Sequence, residues 1–273
     1  MSHCALFHKS FGTFWSGAGI NLYFSCKIKI EELMILVEWA ATLDYQSALD
    51  LQKDLVAERE SDSDLPDHLL LLEHPHTYTI GRNGRTGSLL LDEETRKEKG
   101  VALYHVDRGG DITYHGPGQL VGYPILNLQR LYGRGIGRVR RYITDLEAII
   151  IQLLAEFDIL AFRLENHRGV WVESAAGVAK IAAVGVHVTA RGISSHGFAL
   201  NVNPNLSYFA GIVPCGITEY GVTSMAEQLD HPLQIAEVLP YVAAAISKVL
   251  GVEIIHAPGG EVLSTAATLV AGI

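Results

Sequence analysis

The chain has 273 residues, 48% hydrophobic and 19% charged, with 21 basic against 30 acidic side chains and a formal net charge of −9. Such apolar content supplies a sizeable core and argues against disorder; the acidic balance argues against a nucleic-acid partner, which needs a basic surface. Cys4, Cys26 and Cys215 are too sparse for a disulfide framework or a zinc site, and no stretch reaches the ~18 to 20 apolar residues of a membrane span.

Residues 1–33 show no strand or helix period and lack the charged start and apolar stretch of a secretory signal. They contain few charges and no arginine before position 31, which weakens a mitochondrial presequence. This segment is expected to be a poorly ordered extension, residues 34–255 the catalytic unit and residues 256–273 a tail. An extended LVEW leads into a helix over LDYQSALDLQKDLVAER, with Asp44 as its N-cap. HLLLLEH and TYTIG read as buried strands around a turn at Pro75, and VALYHVD as a third strand. LVGYPILNL is apolar on both faces, as a central strand would be. Tyr142, Leu146, Ile149, Ile150, Leu153 and Phe157 mark an amphipathic helix. GVWVES and AKIAAVGVHVT read as a hairpin, and GFALNVN as another strand. Ser224 opens a short helix with a capping-box pattern. PLQIAEVLPYVAAAISKVL is a last amphipathic helix, with Pro240 expected to bend or split it. The alternation implies a single α/β domain: a mixed β-sheet flanked by helices.

The densest chemistry lies in RGGDITYHGPGQLVGYP, Arg108 to Pro124. Glycines let backbone approach a ligand or take positive φ, and a cation, hydroxyls and an imidazole stand between them, so the run reads as a pocket wall. Cys215 sits in a Pro-Cys-Gly turn, a loop setting that favours function over packing. A nucleophilic cysteine must be a thiolate, and the free thiol titrates near ~8.5, so it needs a cation or base nearby. Lys180 is the single lysine between Val101 and Ser247. Its flanks Ala179, Ile181 and Ala182 suggest burial, and desolvation would fit it to stabilise a thiolate and pass protons. The chain has 12 histidines, so most are incidental. His74 and His76 lack the further ligands of a metal site; none is expected. His115 and His196, each followed by glycine, read as hydrogen-bonding groups of the pocket.

The blocks RGGDITYHGPGQLVGYPILNL, KIAAVGVHV, HGFALNVN and GIVPCGITEYGVTS, in this order, resemble the lipoyl(octanoyl) transferase family, also called lipoate-protein ligase B. EHPHTYTIGR resembles that family's early strand pair, with His76 a departure from it, and residues 1–33 have no counterpart there. The resemblance implies the mixed α/β sheet shared with biotin protein ligases and class II aminoacyl-tRNA synthetases. It implies transfer of octanoyl from octanoyl-acyl carrier protein to a lysine of lipoyl domains, those of 2-oxoacid dehydrogenase complexes and the glycine cleavage H protein. By position, Cys215 matches the acyl-carrying cysteine and Lys180 the lysine that activates it. Arg108, Gly109, Gly110, Asp111, Ile112, Thr113, Tyr114 and His115 match the substrate-binding wall. Ala183, Val184 and Gly185, with Gly197, Phe198 and Ala199, match the other substrate contacts. No cofactor is implied, because a thioester donor brings its own leaving group. A monomer in the cytoplasm is expected, a mitochondrial location being the alternative. GRNGRTG, at Gly81 to Gly87, faintly resembles an adenylation loop, so an ATP-dependent lipoate or biotin-type ligase is the second reading. Arg134, Arg138, Arg140 and Arg141 form a local basic cluster suited to an acidic carrier.

Overall fold

The computed structural model describes residues 33–62, 64–85, 87–213 and 220–256. Cys4, Cys26, Cys215, the extension through residue 32 and the tail from residue 257 lie outside the described residues.

Strand β1 (Met34–Thr42) leads into helix α1 (Tyr45–Ser61), whose first turn is capped by the Asp44 carboxylate accepting from the Ser47 N–H. The leucine run then forms β2 (Asp67–Glu73), and Pro75 separates it from β3 (Thr77–Ile80). Helix α2 (Glu93–Glu98), β4 (Ala102–His105), β5 (Ile112–His115) and β6 (Gln119–Ile125) follow. Helix α3 (Leu128–Tyr132) precedes the long α4 (Arg138–Ala155), which buries Tyr142, Leu146, Ile149, Ile150 and Leu153. Strands β7 (Ala161–Leu164), β8 (His167–Ser174), β9 (Gly177–Val188) and β10 (Ser194–Asn201) form an antiparallel meander. A 3₁₀ turn (Leu206–Gly211), β11 (Gly221–Val222), α5 (Met225–Leu229), α6 (Ile235–Leu250) and β12 (Glu253–His256) complete the described chain.

The strands divide into two sheets among the described residues. One is mixed and nine-stranded, ordered β12-β1-β2-β6-β10-β9-β8-β7, with β11 also paired to β9; the other is three-stranded, ordered β4-β3-β5. The second sheet is absent from the single-sheet expectation: β2 and β3 flank Pro75 yet join different sheets. Strand β6 is fully buried between β2 and β10, as its two-faced apolar pattern implies. Helices α4 and α6 cover one face of the large sheet, with Leu69, Leu71, Leu120, Val170, Phe198, Leu146, Ile150, Val238 and Val242 in one core. Residue Ala48 of α1 packs on the opposite face with Leu70, Leu72, Val121, Tyr123 and Ala199. Pro240 does not split α6, which runs unbroken through it.

Candidate active site

A cavity of about 600 Å³ opens along β9 and β10 and is closed by the Arg108–Ile112 segment, the start of α4 and residues of the small sheet. It gathers Arg108, Gly109, Gly110, Asp111, Ile112, Thr113 and His115 with Lys180, Ala183, Val184, Gly185, Gly197, Phe198 and Ala199. Tyr114 is the exception. Side chains alternate along a strand, so Tyr114 turns to the other face of β5 and packs with Tyr78, Ile112, Phe209 and Ile212. Its phenol meets His76 Nδ1 at 2.7 Å, outside the cavity lining. Cys215 lies outside the described residues, but both ends of its segment are fastened. Val213 N–H donates to the Ser88 carbonyl. On the other side, Tyr220 packs its ring on Trp171, and β11 pairs Val222 with Lys180.

The glycine run lies against β9 because Gly185 permits it. A Cβ at residue 185 would stand 3.0 Å from the Gly109 carbonyl and 3.2 Å from Arg108 Cδ. With hydrogen there, Gly109 N–H reaches the Val186 carbonyl at 2.9 Å. Gly110 takes φ +92°, open to glycine without strain. The Asp111 carboxylate staples the turn, accepting from the Ser88 hydroxyl and from the N–H groups of Arg85 and Ile112.

A chain of hydrogen bonds joins the small sheet to Lys180. Arg108 Nη2 donates to both the carbonyl and the hydroxyl of Thr79, at 2.7 and 2.8 Å. The Thr79 hydroxyl lies 3.4 Å from His115 Nε2, and His115 Nδ1 lies 2.8 Å from Gln119 Oε1. Gln119 Nε2 donates to Asn201 Oδ1, Asn201 Nδ2 to the Thr223 carbonyl, and Thr223 N–H to the Lys180 carbonyl. Since an amide oxygen only accepts, Nδ1 of His115 carries the proton and Nε2 accepts from Thr79. Burial holds His115 well below the ordinary histidine range, and the nearby His74 and Arg108 push the same way. The imidazole is therefore neutral at pH 7 and serves as a brace rather than a free base.

At the other end of β9, His196 has φ +54° and is buried. Its N–H donates to Gln52 Oε1, and its Nε2 donates to Asp107 Oδ1 at 2.8 Å. That hydrogen bond is the largest cause of lowering the Asp107 carboxyl to about 2. Both histidines line the cavity and are hydrogen-bonded to other protein groups.

Lys180 is half-buried rather than buried; Ala179, Ile181 and Ala182 are the buried members of its segment. Its Nζ lies 4.6 Å from the centre of the Trp171 ring. The expectation failed because a register shift between β8 and β9 sets Lys180 opposite Trp171, on the face away from Ala179 and Ala182, which oppose Val172 and Val170. Gln119, Asn201, Thr223, Asp107 and Trp171 were not singled out as site residues from the sequence. Gln119, Asn201 and Thr223 stood inside the quoted motifs, a usable signal; Asp107 and Trp171 carried none.

The catalytic-domain model of the lipoyl protein ligase A/B family matches residues 44–247. The octanoyltransferase of Solibacter usitatus is 52% identical over 67% of this chain and 79% of its own length. That of Rubrobacter xylanophilus is 45% identical over 76% and 89%, respectively. Among solved structures, lipoate-protein ligase A bound with ATP superposes with a TM-score of 0.64 at 18% identity, covering 88% of this chain and 94% of that one. A bipartite lipoate protein ligase from Thermoplasma acidophilum gives 0.63 at 17%, covering 88% and 91%. These place the fold among lipoate protein ligases. The chain belongs to the lipoyl protein ligase A/B family and, within it, to the octanoyltransferases. It is an acyltransferase.

Proposed function

We propose that this chain carries octanoyl from octanoyl-acyl carrier protein to a lysine of lipoyl domains, through a thioester on Cys215. Residues 34–255 are read as the catalytic unit, acting as a cytoplasmic monomer. The carrying observation is Lys180 on the wall of a cavity whose β9 and β10 side presents small and apolar groups, among them Ala182, Ala183, Val184, Ala199 and Phe198. An alkyl chain gains roughly 0.8 kcal/mol for each methylene buried there. Two peptide steps of about 3.8 Å each tie Cys215 to Val213, whose N–H is bonded to Ser88 beside Asp111.

The Cys215 thiolate attacks the donor's thioester carbon, and the Lys180 ammonium offsets its charge. The tetrahedral intermediate collapses, expelling the carrier's thiolate, which takes a proton from Lys180. Octanoyl is now on Cys215. The acceptor lysine's neutral amine attacks the new thioester; the amide forms, Cys215 leaves as thiolate, and the amine's proton passes to Lys180. The donor is already activated, so the balance closes without ATP.

The test is intact-mass spectrometry after mixing the protein with octanoyl-acyl carrier protein and no nucleotide. One added octanoyl group on Cys215, absent in Cys215→Ala, is expected. Transfer that survives Cys215→Ala, or an adduct on another residue, overturns the reading.

A further inference from the structure

The pairing of β8 with β9 is irregular at one place. Trp171 pairs with Lys180, whereas its neighbour Val170 pairs with Ala182. One extra residue, Ile181, is thus inserted in β9. In an unbroken ladder continuing from Val170, Trp171 would oppose Ile181, and Lys180 would fall on the other face. Directly opposed residues share a face of the sheet, and a bulge re-aims a side chain in this way. The insertion therefore sets Lys180 over the indole, at 4.6 Å.

The indole is itself fixed. It is 1% exposed, and its Nε1–H donates to the His167 carbonyl at 3.2 Å. The Tyr220 ring stands edge-on to it at 5.3 Å, and to the His167 ring at 5.4 Å. Tyr220 directly follows the Pro214–Glu219 segment, and β11 next to it lies along Ala179 and Lys180. The face of an indole attracts an ammonium group, and little freedom remains for a cation resting on a ring held from two sides.

We propose that Trp171 and Tyr220 are positioning residues for Lys180: the bulge at Ile181 brings the lysine onto the indole, and Tyr220 locks that ring against the strand beside the Cys215 segment. The pair holds the Lys180 side chain along the cavity wall, where its ammonium form stabilises a thiolate. This rests on the assignment of Cys215 as the acyl-carrying residue.

The experiment uses the full chain with Cys4→Ser and Cys26→Ser, which leaves Cys215 as the single thiol. Iodoacetamide alkylation is followed against pH, together with kcat and KM for octanoyl transfer. Trp171→Leu is expected to move the alkylation midpoint up by about half to one pH unit and to lower kcat with little change in KM. Trp171→Phe, which keeps a ring face, restores most of both. Tyr220→Leu gives a smaller shift of the same sign and stands in if Trp171→Leu does not fold. A folded Trp171→Leu, or in its place Tyr220→Leu, with wild-type midpoint and kcat overturns the proposal. That result with octanoyl still loading Cys215 sinks the aromatic clasp alone, whereas transfer surviving Cys215→Ala sinks the thioester reading itself.

Discussion

The large sheet lines the cavity with Lys180, Ala182, Val184, Phe198 and Ala199; the last four are held by the continuous backbone ladder between β9 and β10, and Lys180 is paired with Trp171 of β8 and Val222 of β11. The three-stranded sheet contributes a polar face instead. Thr79 and His115 are held there by side-chain hydrogen bonds reaching back to Arg108, Gln119 and Asn201. One wall is made rigid by main chain and can carry small, apolar residues. The other gets its rigidity from a polar chain in which each member depends on the next. The first should tolerate side-chain change and resent backbone displacement; the second should be sensitive to protonation.

The most damaging break in the backbone-built wall is Gly185→Val. Its Cβ would press on the Gly109 carbonyl and Arg108 Cδ at 3.0 and 3.2 Å, forcing the glycine run off β9. A displacement near 1 Å at a catalytic wall costs on the order of 100-fold in rate, so kcat/KM for octanoyl transfer should fall by about that factor. Overpacking should also destabilise the fold by about 1–3 kcal/mol. Steady-state kinetics beside a melting curve separate the two effects. Near-normal kcat/KM would show that the run is not the wall described above.

Acid should undo the polar wall. His74 donates Nδ1–H to the Leu43 carbonyl and meets the Tyr123 phenol through Nε2; burial, its largest cause, lowers it to about 4. An unfolded histidine titrates near 6.5. Between these values the unfolded chain binds the extra proton, so stability falls as pH drops from about 6.5 toward 4 and is flat above. His74 alone should cost about 2 kcal/mol at pH 5 relative to pH 7, and His115, shifted in the same direction, adds to it. Denaturant unfolding at the two pH values measures this. Equal stability at both would mean that neither imidazole is held neutral by burial.

The same contrast governs what was legible in the sequence. The central strand β6, the hairpin of β8 and β9, and the buried face of α4 follow from apolar periodicity, because backbone ladders select it. Two strands of the small sheet, β3 and β4, were legible, but the third, Ile112–His115, was not, because it lies inside the glycine-rich run and its polar members are satisfied by distant partners. Helix α1 shows the limit from another side: it buries Gln52 and Arg59 on its inner face. Gln52 accepts from His196 N–H, and Arg59 Nε pairs with Asp67 Oδ1 at 2.7 Å. A polar residue that finds its partner far along the chain leaves no local mark. The bulge at Ile181 is invisible for a related reason, since a one-residue register shift alters no composition.

Outside both walls lies the start of α4, whose Val139 and Ile143 line the cavity, so this helix end is its rim. Gly137 offers no side-chain cap, and Arg138, Arg140 and Arg141 occupy the first turn, where the helix dipole disfavours cations. Arg141 is drawn partly back by Asp145 at 3.8 Å and lies over Tyr132 at 5.1 Å, while Arg140 is exposed and Ile136 beside them fully so. Folding gains little from this arrangement, whereas an acidic carrier protein delivering its acyl group to the rim would supply the missing anions. Arg140→Glu with Arg141→Glu should raise KM for octanoyl-acyl carrier protein several-fold and weaken its dependence on salt, since such contacts act mainly on encounter. The rate of Cys215 alkylation should stay the same, because neither arginine lines the cavity. An unchanged KM in the double variant would remove this rim as the docking surface and leave the two walls untouched.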